Sequence, residues 1–218
     1  MIQCSHFLYL TIVFLMIPAY SHSQADWELR KNSDDIQVYF RSSDDSDIKE
    51  LKITTTLDCT LSSAISVIND IEKMPEWVYQ CEEAEFIGKN EGAAFTFVNR
   101  TVVPFFFKDR EIVLQCTTFQ ERPSLKTCSR CVARPDALAL NPDYIRVEKA
   151  ISEWTFWPQE DGTLKVEYFF IADPGGYVPA WLINFALDYG PVNTLKQFKK
   201  RVHLEEYAKA RLTYIQDH

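Results

Sequence analysis

Between residues 83 and 172 the chain reads as a succession of β-strands with nothing helical between them, and that run constrains the fold more than any other feature. The predicted strands fall at 83–88, 93–102, 110–119, 125–134, 144–157 and 164–172, segments rich in β-branched and aromatic residues. Turn signals separate them, at Asn90-Glu91-Gly92, Arg122-Pro123-Ser124, Asn141-Pro142-Asp143 and Glu160-Asp161-Gly162. Upstream, strands at 27–31 and 36–41 flank the turn Asn32-Ser33-Asp34-Asp35, and another spans 48–57. One short helix intervenes, capped by Thr60. Leu61, Ala64, Ile65, Ile68 and Ile71 form its apolar face, and Pro75 is expected to end it. A helical region from Pro179 to about Tyr214 closes the chain. Strands, a short helix, many strands and a long helix describe an α+β fold with a meandering antiparallel sheet, not alternating βα units.

A sheet of about nine strands twists and curls, so it has a concave face that something must cover. The C-terminal helix is the available cover. Pro179 suits a first helical turn, and Asp173-Pro174-Gly175-Gly176 supplies the turn before it. Trp181, Phe185 and Tyr189 fall four residues apart in one aromatic stripe, widened by Leu182 and Ala186. Gly190-Pro191 follows, where a missing N–H predicts a kink, and beyond it Lys196, Lys199, Lys200 and Arg201 are expected to reach water. On the strands, Trp154 shares a face with Phe156, and Val166 with Tyr168 and Phe170. Ile112, Leu114 and Cys116 share the face of Arg110. Such side chains either fill a core or wall an apolar cavity, and alternation alone leaves both open.

Residues 1–23 contain no Asp, Glu, Lys or Arg, and 7–20 is an almost unbroken apolar run followed by Ser21-His22-Ser23, small residues at the two positions a signal peptidase reads. It is too short for a bilayer span of about 20 residues. It reads as a secretory signal peptide, leaving one domain over 24–218 that is exported to the periplasm or beyond. The net charge of −8 argues against nucleic acid and against constitutive docking to anionic lipid. Outside the leader there are five cysteines, Cys59, Cys81, Cys116, Cys128 and Cys131, so at least one stays unpaired. Cys116 and Cys128 flank a short hairpin and are candidates for a cross-strand pair, while Cys128-Ser-Arg-Cys131 lacks the partners of a zinc site. No GxSxG elbow, P-loop or Rossmann glycine pattern is present, and His203 sits among Lys199, Lys200 and Arg201 on a face expected to be exposed. Neither a metal nor a cofactor is expected.

Several spaced motifs then carry a resemblance. The stretch from Asp173 through Asn184 (DPGGYVPAWLIN), followed by Gly190-Pro191-Val192-Asn193-Thr194-Leu195, resembles the C-terminal helix of bacterial StAR-related lipid-transfer (START) domains. So does Val103-Pro104-Phe105-Phe106-Phe107-Lys108-Asp109-Arg110-Glu111-Ile112-Val113, a Pro-aromatic loop running into an Asp-Arg-acidic strand. Met74-Pro75-Glu76-Trp77-Val78, the Trp27 start and the Trp154-to-Pro158 segment also fit. The resemblance implies a helix-grip fold, a curved sheet wrapped around the C-terminal helix and enclosing a tunnel for a lipid or other hydrophobic small molecule. The tunnel wall it implies draws on Trp77, Phe97, Phe106, Arg110, Leu114, Trp154, Phe156, Tyr168, Trp181, Phe185 and Tyr189. Arg110 corresponds to the family's cavity arginine and would face an acidic side chain or a polar ligand head. In sterol-binding relatives a carboxylate on the preceding strand pairs with that arginine. Here Phe97-Val98-Asn99-Arg100 offers none, so sterol specificity does not carry over. The leading expectation is a monomer that binds and transfers a lipid without catalysis, touching membranes transiently. The alternatives are a cyclase- or hydrolase-like enzyme of the same superfamily, and a module that binds through an exposed Phe105-Phe106-Phe107 surface.

Overall fold

The structure, a computed structural model, describes residues 26–43, 46–176 and 178–217, without the side chains of 43, 46–48, 180, 181, 184, 185 and 188. The leader read over 1–23 lies outside the described residues. The chain opens with β1 (Glu28–Ser33), β2 (Ile36–Ser43) and β3 (Ser46–Leu57). Asp34 and Asp35, with φ of 56° and 61°, make the tight β1–β2 turn, a backbone region that Asp tolerates better than most residues. Thr60 caps α1 (Leu61–Asn69) by accepting a hydrogen bond from Ser63 N at 3.1 Å. A 3-10 helix (Ile71–Glu76) follows and contains Pro75, so α1 ends before the proline rather than at it. Then come β4 (Cys81–Phe86), β5 (Ala94–Thr101), β6 (Arg110–Gln120) and β7 (Thr127–Ala133). The segment predicted as one strand at 144–157 is two: β8 (Ile145–Arg146) pairs parallel with the start of β6, and β9 (Lys149–Pro158) joins β7 and β10 (Leu164–Asp173). The sheet order is β1-β2-β3-β10-β9-β7-β6-β5-β4, with β8 off this path.

The closing helix α2 (Ala180–Arg201) runs through Gly190-Pro191 without interruption but stops well before Tyr214. A short α3 (Glu205–Ala208) and a tail follow. The tail is fastened to the start of α1: Asp217 accepts from Ser62 N at 2.8 Å, at the positive end of that helix. Gln120 and Gln216 exchange two hydrogen bonds, at 2.9 and 3.0 Å. Arg201 does not reach water. It is 8% exposed and bonds Glu76 at 2.8 Å, and its Nε lies 3.4 Å from Tyr207 Oη. Lys196 and Lys199 instead reach back to the β1–β2 turn, pairing with Asp34 and Asp35.

Because paired residues of antiparallel strands share a face, the register fixes the inner surface: Val38, Ile53, Tyr168, Trp154 and Ser129 form one rung across five strands. Against it, α1 and the second half of α2 bury Ile65, Val67, Leu195 and Phe198 completely. Truncating a fully buried phenylalanine such as Phe198 typically costs about 3–5 kcal/mol. One disulfide lies on the inner surface and joins β6 to β7, Cys116 to Cys131. The pairing of Cys116 with Cys128 is thereby corrected: the register sets Cys116 opposite Cys131, whereas Cys128 faces Phe119 on the other side of the sheet.

Candidate functional site

The inner face is not evenly filled. Its buried apolar residues fall into two clusters, one built on β2, β3, β9, β10, α1 and α2, the other on β4, β5 and β6 with Ile71, Val147 and Ala150 at the start of β9. Met74 and Val78 pack against both. Near the ends of the inward rows, Ile112, Ala133, Ser152, Phe170 and Ala172 stay only half-buried although they lie on the inner face. A close-packed interior leaves no such surface. Tyr168 carries the same signature further in. Burial pushes its phenol up to about 12 and its ring packs 4.4 Å from that of Trp154, yet the residue is only half-buried, and among the described residues its hydroxyl accepts from Ser152 Oγ alone, at 3.4 Å. These half-buried inward residues mark a candidate chamber between the sheet and α2, apolar except for Tyr168, Ser152 and the disulfide.

The chamber's rim is built from two loops. Asp173 Oδ1 accepts from Gly175 N at 3.0 Å, and Gly175 and Gly176 both adopt positive φ, 63° and 61°. A Cβ on either would come within 3.2 or 3.1 Å of the Ile145 side chain, so glycine lets this turn lie against β8. Arg110, 6% exposed, ties the turn to the loop before its own strand. It donates to the carbonyls of Pro174 at 3.0 Å, Gly175 at 2.9 Å and Lys108. Burial lowers its pKa and nearby Asp109 opposes that shift, but a guanidinium remains charged in any case. Among the described residues no carboxylate pairs with it, and three of its five N–H groups serve carbonyls. The other loop folds through Asp109, which accepts from Val103 N at 2.8 Å, and holds Phe105 at φ 70°.

Phe97 and Leu114 stand opposite each other on the inner face in the second cluster. Trp77, Trp154 and Phe156 are inward but packed in the first cluster, Phe156 with no exposed surface, so they support the chamber rather than open onto it. Among the described residues the Trp77 indole N–H has no partner. Phe106 is not in the interior: it is 91% exposed at the tip of the rim loop, with Phe107 at 5.1 Å, because the turn at Phe105 directs the loop outward. Tyr189 is 56% exposed and turned toward Lys31 of β1, off the expected stripe. The side chains of Trp181 and Phe185 lie outside the described residues.

Sequence reasoning missed Glu111. It alternates with Arg110, so it faces outward, and outward acids are ordinarily solvated. Here it is 1% exposed, held by Arg100 at 3.0 Å and Arg146 at 2.6 Å. Arg146 also bonds the carbonyls of Pro135, Leu138 and Ala139, which roof the ion pair. The only local signal was the number of arginines flanking the strand.

Comparison with known proteins places these features. The START domain family profile matches residues 18–207. An uncharacterised protein of Pseudomonas aeruginosa is 30% identical over 172 residues, covering 78% of this chain and 84% of the relative. The crystal structure of a STAR-related lipid transfer protein from Xanthomonas axonopodis superposes with a TM-score of 0.74 at 26% identity, covering 81% of this chain and 98% of that one. Human StAR-related lipid transfer protein 5 superposes with a TM-score of 0.69 at 14% identity, covering 84% and 89%, a likeness of fold.

Proposed function

The chain belongs to the START domain family, and from that premise we propose that it takes one lipid-like molecule into the chamber beneath α2 and transfers it without chemical change. The observation that carries this reading is the set of inward residues, Ile112, Ala133, Ser152, Tyr168, Phe170 and Ala172, that stay only half-buried on the inner face. Apolar burial supplies the affinity, at about 0.8 kcal/mol for each buried CH₂. The non-catalytic part is supported by Arg110, whose contacts are backbone carbonyls rather than a second ionisable group. Its remaining N–H groups favour a ligand with an anionic or strongly polar end at the rim. Exposed Phe105 and Phe106 support brief contact with a membrane, where aromatic side chains sit well at the interface. The disulfide supports an exported protein, because such bonds persist in oxidising compartments.

The test is native mass spectrometry with lipid extraction on protein from its own compartment. A bound lipid at one molecule per chain is expected. Tyr168→Trp, which fills the space, is expected to lower occupancy at least tenfold while the protein stays folded. Full occupancy in that variant, or ligand-free wild type across lipid classes, would overturn the reading.

A further inference from the structure

The outermost strand, β1, breaks register between Leu29 and Lys31, where Leu29 pairs with Tyr39 and Lys31 with Val38. Such a bulge sets two residues against one and re-aims a side chain. Here it brings consecutive cations to the inner side. The Arg30 guanidinium lies 5.9 Å from the ring of inward-facing Phe40, and Lys31 Nζ lies 5.9 Å from the ring of Tyr189 on α2. Arg30, Lys31, Val38 and Tyr189 line a cleft of about 250 Å³. Among the described residues neither cation forms an ion pair. Asp34 and Asp35 are already paired with Lys196 and Lys199. Behind Lys196 and Ser33, Lys31 adds weakly to the charge that lowers the Asp34 pKa, but neither cation is held in an ion pair, which is notable in a chain of net charge −8.

We propose that this cleft binds the phosphate head group of an anionic lipid in a bilayer, a site separate from the chamber. A site for a whole small molecule usually offers about 300–1,000 Å³, so this cleft suits a head group and not a complete lipid. The two cations meet the phosphate, and the tyrosine ring and Val38 meet the glycerol behind it. The site is independent of what occupies the chamber, and of the aromatic rim loop.

The experiment is sedimentation with phosphatidylglycerol vesicles and with phosphatidylcholine vesicles, using wild type, Arg30→Gln/Lys31→Gln and Phe106→Ser. Each cation beside an anionic surface contributes about a fivefold factor, so the double variant is expected to bind phosphatidylglycerol about thirtyfold more weakly. Its binding to phosphatidylcholine and its co-purifying lipid should not change. Phe106→Ser should instead weaken both vesicle types. In wild type, phosphatidylglycerol vesicles should protect Lys31 from acetylation and phosphatidylcholine vesicles should not, a readout that survives if the double variant misfolds. Unchanged binding of the folded double variant, or an unprotected Lys31, overturns the proposal. So does protection of Lys31 by soluble glycerol phosphate but not by vesicles, which would mark a site for a free phosphate compound.

Discussion

Arg110 and Glu111 are neighbours in sequence, point to opposite faces of one sheet, and are both buried. Strand alternation made the opposition legible and placed Ile112, Leu114 and Cys116 beside the arginine. It did not reveal what covers each residue, because the covers come from far along the chain: the 173–176 turn over Arg110, and the 135–139 segment over Glu111. The same gap explains Phe106, whose residue type suited a cavity wall but whose loop turns outward. Removing the Glu111 charge leaves Arg146 with backbone carbonyls alone and Arg100 with the more exposed Glu83 and Glu85, and breaking a buried pair typically costs about 3–5 kcal/mol. Glu111→Gln is therefore expected to lower stability by about 3 kcal/mol, seen as a lower urea midpoint with unchanged slope. A loss under about 1 kcal/mol would mean that water already reaches the pair.

Helix α2 shows where element-level patterns mislead. Glycine followed by proline reads as a break, yet the helix continues, and Gly190 serves a neighbour instead. A Cβ there would lie 3.0 Å from the Tyr79 ring, and Tyr79 is held in place by its own N–H donating to Thr194 Oγ1 at 3.1 Å. Alanine is the better helix former by about 1 kcal/mol, but overpacking costs about 1–3 kcal/mol. Gly190→Ala is expected to destabilise, and adding Tyr79→Ala should recover the helix-forming gain in a double-mutant cycle. If Gly190→Ala alone stabilises, the approach of the ring is not rigid. The two-residue β8 and the early end of α2 were illegible for a related reason. The first is defined by pairing to β6, and the second by Arg201 binding Glu76 and packing against Tyr207.

At the scale of the whole molecule, the order of strands and helices was enough to give the α+β class and the antiparallel sheet, because that order is written locally. The two-cluster interior was not, since it depends on which side chains fail to meet. Burial also sets how the molecule answers to alkali. It raises Cys59 and Tyr207 to about 12 and Cys81 to about 11, and Tyr168 likewise to about 12. Unfolded, these groups lose their protons from 9.0 for the thiols and 10.0 for the phenols. The folded state thus holds protons that the unfolded state has released, and stability is complete below pH 9 and falls as pH rises toward about 12. Denaturant titrations across that window should show the decline, and Tyr207→Phe should flatten part of it. The aromatic contacts have one more consequence. Tyr168 lies 4.4 Å from Trp154, Trp154 lies 4.9 Å from Phe198, and Phe198 lies 5.6 Å from Trp77. Light absorbed by the tyrosine of the chamber wall can pass to an adjacent indole by energy transfer, so the protein carries a built-in fluorescent gauge of its own contents.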